Sequence, residues 1–366
     1  MKQFQDLVEE VQKPGLCRLC GGCVNFCTAI NYGALAFDRT GTPYLKDRDK
    51  CIECGLCYAI CPETSELDTE LKINFKWTPP MGNYIKILAA RSKDPKIRNL
   101  ATDGGVVTSL LLFLLDRGFI DGAIVSRQKD SLERKPYLAA SKQEILESAG
   151  FYMDHSQGMQ EFSSKYSTYS SSIEELSPMM QKGFRRVAFV GLPCQINTVR
   201  KMEALGIVPT DAIKYYLGLF CSGTLVFGEK EKRILQEMGN FYWDELKKIN
   251  IKEDFMLHLQ NGQTRHIPLN NLDFMKKYAC FFCDDYSAEF ADISFGGLGA
   301  KEGWTTVVTR TTKGRNTYLE SQNEFLEEYQ GTDRKEHLEQ IVDKCRTYSK
   351  HKKQQAKSMR QNLGKT

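Results

Sequence analysis

A chain of 366 residues is long enough for two or three domains, each with its own core. With 41% hydrophobic residues, 26% charged residues and a formal charge of +4, the composition gives no sign of a nucleic-acid partner or an integral membrane protein. The longest apolar run, VVTSLLLFLL, ends at Asp116-Arg117 and is too short to cross a bilayer.

The opening MKQFQDLVEEVQK lacks the apolar core of a secretory signal, so a cytoplasmic protein is expected. The 13 cysteines are the unusual feature, and an odd number of thiols in such a chain argues against a disulfide framework. Eight of them fall in two runs, CRLCGGCVNFC and CIECGLCYAIC, each spaced C-x2-C-x2-C-x3-C. This is the spacing of bacterial ferredoxins, in which three thiolates of a run serve one iron–sulfur cube and the fourth serves the other. Cys17, Cys20, Cys23 and Cys61 are therefore expected to hold one [4Fe–4S] cluster, and Cys51, Cys54, Cys57 and Cys27 the second. The fourth cysteine of each run is expected to start a helix pointing toward the other cube. Gly21, Gly22 and Gly55 suit loops wrapped closely around inorganic sulfide. Pro62 follows the last cysteine as the pattern requires, whereas Thr28 replaces the corresponding proline of the first run. Zinc is the alternative, but zinc usually takes cysteines in separated pairs.

Residues 65 to 85 read as a connector broken at Pro79-Pro80. Beyond it the pattern turns mixed α/β. YIKILAARS reads as a strand, DGGVVTSLLLFLLDRG as a glycine pair followed by an apolar helix, DGAIVSR as a strand and KQEILESAG as a short helix. Residues 153 to 172, rich in Ser and Tyr, read as a surface loop. RRVAFVGLPCQINTVRKMEALG gives a strand, a turn and a helix beginning near Cys194, and AIKYYLGLFCSG a strand carrying Cys221 at its end. Residues 240 to 312 read as further strands, with CFFC among them. The remainder is helical and polar, with eight Lys or Arg and no acid from Lys344 onward, which reads as a solvated helix face.

Cys194, Cys221, Cys280 and Cys283 admit three readings: a nucleophile at Cys194, buried structural thiols, or a further cluster with dispersed ligands. Spacing alone leaves all three open. The glycines of Thr102–Thr108 precede a helix whose backbone N–H groups could hold phosphate. GGLG at 296 to 299 is weaker, being an incomplete G-x-G-x-x-G.

The segments ATDGGVVTSLLLFLLDRGFIDGAIV, SSKY, VAFVGLPCQINTVRKM, GLFCSG and CFFCDDYSAEFADISFGGLGAKEGWTTVVTRTTKG, in this order, resemble the coenzyme F420 hydrogenase/dehydrogenase beta-subunit family from about residue 84 to 315. The resemblance implies FAD bound in the α/β part and an oxidoreductase acting on the deazaflavin coenzyme F420. It also implies that Cys194, Cys221, Cys280 and Cys283 ligate a third [4Fe–4S] cluster. The matching FAD segments contain Thr102, Asp103, Gly104, Gly105, Val106 and Thr108; Ser164, Lys165 and Tyr166; and Gly191, Leu192, Pro193 and Gln195.

A flavin also answers a chemical need, because deazaflavin exchanges hydride while clusters carry single electrons. No catalytic side chain is expected, since the flavin carries the chemistry. The phosphate and glutamyl tail of the deazaflavin call for cations, and Arg185, Arg186, Arg200, Lys276 and Lys277 are available without being placed in the site.

The expected architecture is an α+β or α/β chain in three parts. They are a two-cluster ferredoxin domain at 1–75, a mixed α/β flavin-binding domain with the inner cluster at 76–315, and a polar helical extension at 316–366. The expected partner is a redox subunit or ferredoxin, in the cytoplasm or at the cytoplasmic face of a membrane complex. Hydrogenase, formate dehydrogenase, quinone or phenazine reductase, heterodisulfide reductase and sulfite reductase modules all fit that place. Two alternatives are a same-family reductase of a tetrapyrrole and a non-catalytic iron–sulfur relay.

Overall fold

The computed structural model describes residues 2–128, 134–150, 172–206 and 209–363. In the N-terminal part, helix α1 (Gly22–Ala29) and helix α2 (Leu56–Ala59) flank a small hairpin of β1 (Leu35–Phe37) and β2 (Pro43–Leu45). Both helices start from a left-handed glycine, Gly21 at φ +77° and Gly55 at φ +71°, a conformation in which a Cβ is strained. The expected helix start at the fourth cysteine is wrong by about one turn. Cys27 lies inside α1 and Cys61 just beyond α2, because each helix begins before the third cysteine of its run. Third and fourth thiols thus stand four residues apart, about one helical turn, so the fourth is carried away from its own loop. The connector also holds an unexpected helix, α3 (Asp68–Asn74).

The α/β part is built on a sheet in the order β13-β3-β12-β11-β7-β6-β4-β5 among the described residues. The strands are β3 (Lys86–Ser92), β4 (Gly122–Gln128), β5 (Arg134–Ala139), β6 (Val187–Gly191), β7 (Ile213–Leu219), β11 (Ile293–Gly296), β12 (Thr305–Thr309) and β13 (Leu326–Glu328). The core β11-β7-β6-β4 is parallel, and the flanking pairs are antiparallel. A separate antiparallel sheet joins β8 (Leu246–Ile251), β9 (Asp254–Leu259) and β10 (Thr264–Pro268). CFFC is not in a strand: Tyr278–Phe282 forms a 3-10 turn.

Parallel strands bury both faces, so β6 reads as an unbroken apolar run and is buried throughout. Helix α4 (Val106–Asp116) covers one face, where Leu110, Leu111 and Leu114 pack with Leu88, Ala188 and Leu217. Helix α5 (Pro193–Ala204) covers the other, where Ile196, Val199 and Met202 meet Phe189 and Tyr216. The same core takes in Phe26, Ile60 and Leu71, so the N-terminal part is packed on the sheet through α5. Full burial of one such side chain contributes about 1.5–3 kcal/mol.

The expected boundary at 315 falls inside helix α6 (Thr312–Gln322), and β13 beyond it pairs with β3. The α/β unit therefore runs on through Glu328. Helix α7 (Arg334–Leu363) presents most of its basic run to solvent, as that composition suggests, with Arg346, Lys350, Lys357 and Arg360 exposed and Lys352 alone buried among the described residues. Its buried residues His337, Ile341, Cys345, Ser349, Lys352 and Ala356 recur at helical spacing and form one inward stripe. Three of these six, His337, Ser349 and Lys352, are polar, which weakens the hydrophobic periodicity of the stripe. Among the described residues, no helix is long and apolar enough to cross a membrane.

Candidate functional site

None of the 13 cysteines forms a disulfide. Cys51, Cys54 and Cys57 line one cavity together with Cys27, and Cys17, Cys20 and Cys23 line a second together with Cys61. Each cavity thus gathers three thiols from one run and the fourth from the other. Among the described residues, no group of three or more His, Cys, Asp or Glu side chains is placed to hold a single metal ion. Four soft donors around a shared cavity suit a polynuclear centre better than the zinc alternative. Burial pushes the Cys17 thiol up to about 11 and the Cys57 thiol up to about 12, so ligation there has to displace protons.

The inner thiols come from three places in the chain. Cys194 opens α5, Cys221 follows β7, and Cys280 and Cys283 bracket the end of the 3-10 turn. The Cys194 thiol feels those of Cys20, Cys283 and Cys221, and the Cys221 thiol feels Cys280 and Cys283. Burial raises Cys194 well above the ordinary thiol range, which removes the argument for an activated nucleophile at the helix start.

Cationic side chains surround this group. The buried Arg18 donates from Nη1 to Cys283 Sγ at 3.4 Å and pairs through Nε with the buried Glu63. Lys352 Nζ donates to the carbonyl oxygen of Cys221. Burial depresses Lys277, which sits beside Cys280 and Cys194.

Helix α5 ties the pieces together. From Cys194 at its start, Thr198 stands one turn on, with Oγ1 donating to the Cys194 carbonyl at 2.9 Å and lying 3.8 Å from Cys20 Sγ. A Cβ at Gly22 would meet Thr198 Cγ2 at 2.4 Å, so the ferredoxin loop abuts the helix directly. Lys201, another turn on, donates to the carbonyls of Cys61 at 3.1 Å and Thr64 at 2.8 Å and pairs with Asp68 at 2.8 Å. Arg18, Thr198 and Lys201 escape a search for ligands because none is one. The spacing 194, 198, 201 was the available signal, since it marks one helix face.

A cleft of about 400 Å³ opens at the carboxyl ends of the parallel strands, where ligands of open α/β sheets bind. Val125 and Ser126 of β4, Gly191 of β6, Leu219 of β7 and Gly296 of β11 line it. Of the residues singled out above, Thr102, Asp103, Gly105, Val106, Thr108, Gly191, Leu192 and Gln195 line this cleft. Gly104 lies behind it, its N–H donating to Thr305 Oγ1 at 3.0 Å, and a Cβ there would come within 2.8 Å of the Ala90 carbonyl oxygen. Pro193 faces a different, polar pocket. Ser164, Lys165 and Tyr166 lie outside the described residues.

Gly105 caps α4, and Val106, Val107 and Thr108 of its first turn line the cleft, where a helix start offers unpaired backbone N–H groups. Across it, Asn250 Nδ2 donates to Asp103 Oδ1 at 3.0 Å and Lys248 Nζ to the Thr102 carbonyl. Lys252 stands 3.7 Å from Asp103, whose carboxyl is pushed up by burial against the pull of Lys252 and Asn250. The β8 wall, with Ile249, Asn250 and Ile251, carried no sequence signal, whereas Gly296 and Gly297 of the incomplete glycine motif do reach the cleft. Arg185, Arg186, Arg200, Lys276 and Lys277 are not among its lining residues. Arg200 is instead buried against Asp292 at 3.2 Å.

Two cavities, each lined by four cysteines, beside an α/β sheet with a cleft at its strand ends fit the class of iron–sulfur subunits. The chain belongs to the coenzyme F420 hydrogenase/dehydrogenase beta-subunit family. Residues 87–160 match the family's beta-subunit N-terminal part, residues 184–333 its C-terminal part, and residues 9–62 the 4Fe-4S dicluster domain. It is 30% identical over 292 residues to the coenzyme F420 hydrogenase subunit beta of Methanococcus voltae, covering 78% of this chain and 98% of that one. It is also 30% identical to the coenzyme F420-dependent sulfite reductase of Methanocaldococcus jannaschii, over 84% of this chain but 46% of that protein, so it spans about half of that relative. Among solved structures, a chain of the F420-reducing [NiFe] hydrogenase complex from Methanosarcina barkeri aligns with TM-score 0.65 and 28% identity. That alignment covers 77% of this chain and 93% of the other.

Proposed function

We propose that this subunit passes electrons between coenzyme F420 and a redox partner through FAD held in the cleft and three [4Fe–4S] clusters. The observation that carries the reading is α5, which places Gln195 in the cleft, Cys194 in the inner thiol group and Thr198 against Cys20 of the ferredoxin domain. Thr102–Thr108 and Gly191–Gln195 would hold the FAD, with the start of α4 against its phosphates. When bound, FAD exchanges hydride with the deazaflavin and single electrons with the clusters. The residues around the cleft hold the two ring systems within reach of one another and keep water away.

Cys194, Cys221, Cys280 and Cys283 would hold the inner cluster. Cys17, Cys20, Cys23 and Cys61 would hold the next, and Cys51, Cys54, Cys57 and Cys27 the outermost. A relay with no ligand site would leave the glycine-walled cleft without a purpose. The relatives named as F420 hydrogenase and F420-dependent sulfite reductase support F420 as the substrate and a partner module as the electron acceptor.

The test is to purify the full chain anaerobically with FAD, count flavin and iron per chain, and assay viologen reduction by reduced F420. One flavin, about twelve irons and F420-dependent turnover are expected. Clusters without flavin or turnover would reduce the protein to a relay.

A further inference from the structure

Position 352 breaks the rule that governs its helix. On the inward stripe of α7 the neighbours are Ile341, Cys345, Ser349 and Ala356, yet position 352 is a lysine only 5% exposed. Among the described residues no carboxylate lies within ion-pair distance of its Nζ, whose hydrogen bond goes to the Cys221 carbonyl. A buried ammonium without a counter-charge is costly, so buried charges are normally paired. The titratable groups that bear on it most strongly are the sulfurs of Cys283, Cys221 and Cys280, which become negative only as thiolate ligands. Other cations of α7, none of them fully buried, do have carboxylate partners: Lys344 meets Glu253 at 2.5 Å, Lys353 meets Glu289 at 2.8 Å and Arg360 meets Glu63 at 2.7 Å.

We propose that Lys352 is a fixed counter-charge that α7 delivers to the inner four-cysteine group, setting that centre's reduction potential above what its ligands alone would give. This rests on the reading of those four cysteines as cluster ligands. Four thiolates and their cluster carry net negative charge, and one added electron increases it. A neighbouring ammonium therefore stabilises the reduced state more than the oxidised one.

The test compares the full-length protein with Lys352→Met, Lys352→Gln, Lys352→Arg and the exposed control Lys350→Met, by iron content and anaerobic redox titration followed by electron paramagnetic resonance. The neutral variants should shift one cluster of three to lower potential by about tenfold in its oxidised-to-reduced ratio, about 59 mV for one electron. Lys352→Arg and Lys350→Met should leave it in place. If the neutral variants fold with two clusters while Lys352→Arg retains three, the charge is needed to hold the centre at all, which supports the same role. An unshifted third cluster in Lys352→Gln, or the same shift in Lys352→Arg, overturns the proposal. A wild-type chain with only two clusters would instead overturn the ligand assignment beneath it, and iron content reports that separately.

Discussion

The two halves of the ferredoxin domain have the same cysteine spacing and opposite surroundings. The group of Cys17, Cys20, Cys23 and Cys61 is pressed against α5, with Thr198 lining its cavity and the buried Arg18–Glu63 pair beside it. The group of Cys51, Cys54, Cys57 and Cys27 shares its cavity with Tyr32, Lys50 and Ile52, and Ile52 is 58% exposed. One face looks into the protein and the other out of it. On the proposed reading, this asymmetry gives the pair an inner end toward the α/β cleft and an outer end open to a partner.

The contrast breaks most completely if the inner end is cut off from the cleft. Cys283→Ala should leave the eight ferredoxin thiols intact while lowering F420-linked viologen reduction by about a hundredfold or more, equivalent to about 2.7 kcal/mol of barrier. Dithionite should still bleach the ferredoxin centres in that variant. Unchanged turnover would show that electrons do not pass through this group.

A smaller effect is expected where the inner end is anchored. Lys201→Met leaves the carbonyls of Cys61 and Thr64 without their buried donor, costing about 1–3 kcal/mol. The denaturant midpoint for loss of cluster absorbance should fall accordingly, while a matching substitution at the exposed Lys230, remote from the cysteine cavities, should not move it.

The smallest effect concerns the acid beneath Trp77. Burial, with Asp285 adding repulsion, pushes the Glu289 carboxyl up to about 7 despite Lys353 beside it. The folded chain therefore holds this proton more tightly than the unfolded one. Its stabilising contribution is complete below the ordinary value of 4.5 and is lost as pH rises through about 7. Thermal midpoints measured from pH 5 to 8 should decline more steeply for the wild type than for Glu289→Gln. Parallel profiles would mean that Glu289 is ionised throughout.

The same contrast explains what could be read from the chain. The eight cysteines of the two runs are local, so spacing alone groups them, and the structure gathers them in crossed sets of four around two cavities. The glycine turn before α4 and the Gly191–Gln195 turn were legible because parallel strands and their following helices leave strong local patterns. The β8 wall was not, because Asn250 reaches Asp103 from 147 residues away and its strand bears no motif. The burial of Lys352 on α7 was not legible for a related reason. Its inward face mixes Ser349 and Lys352 with Ile341, Cys345 and Ala356, which weakens the hydrophobic periodicity, and the carboxylates that receive its other cations are spread over residues 63 to 289.

The most direct measurement is an anaerobic titration of the FAD-loaded chain with reduced coenzyme F420, following flavin and iron–sulfur absorbance together. The account predicts that both bleach, and that in Cys283→Ala only the flavin does. Flavin bleaching with the wild-type clusters left oxidised would contradict the path through α5, and no bleaching at all would contradict F420 as the substrate.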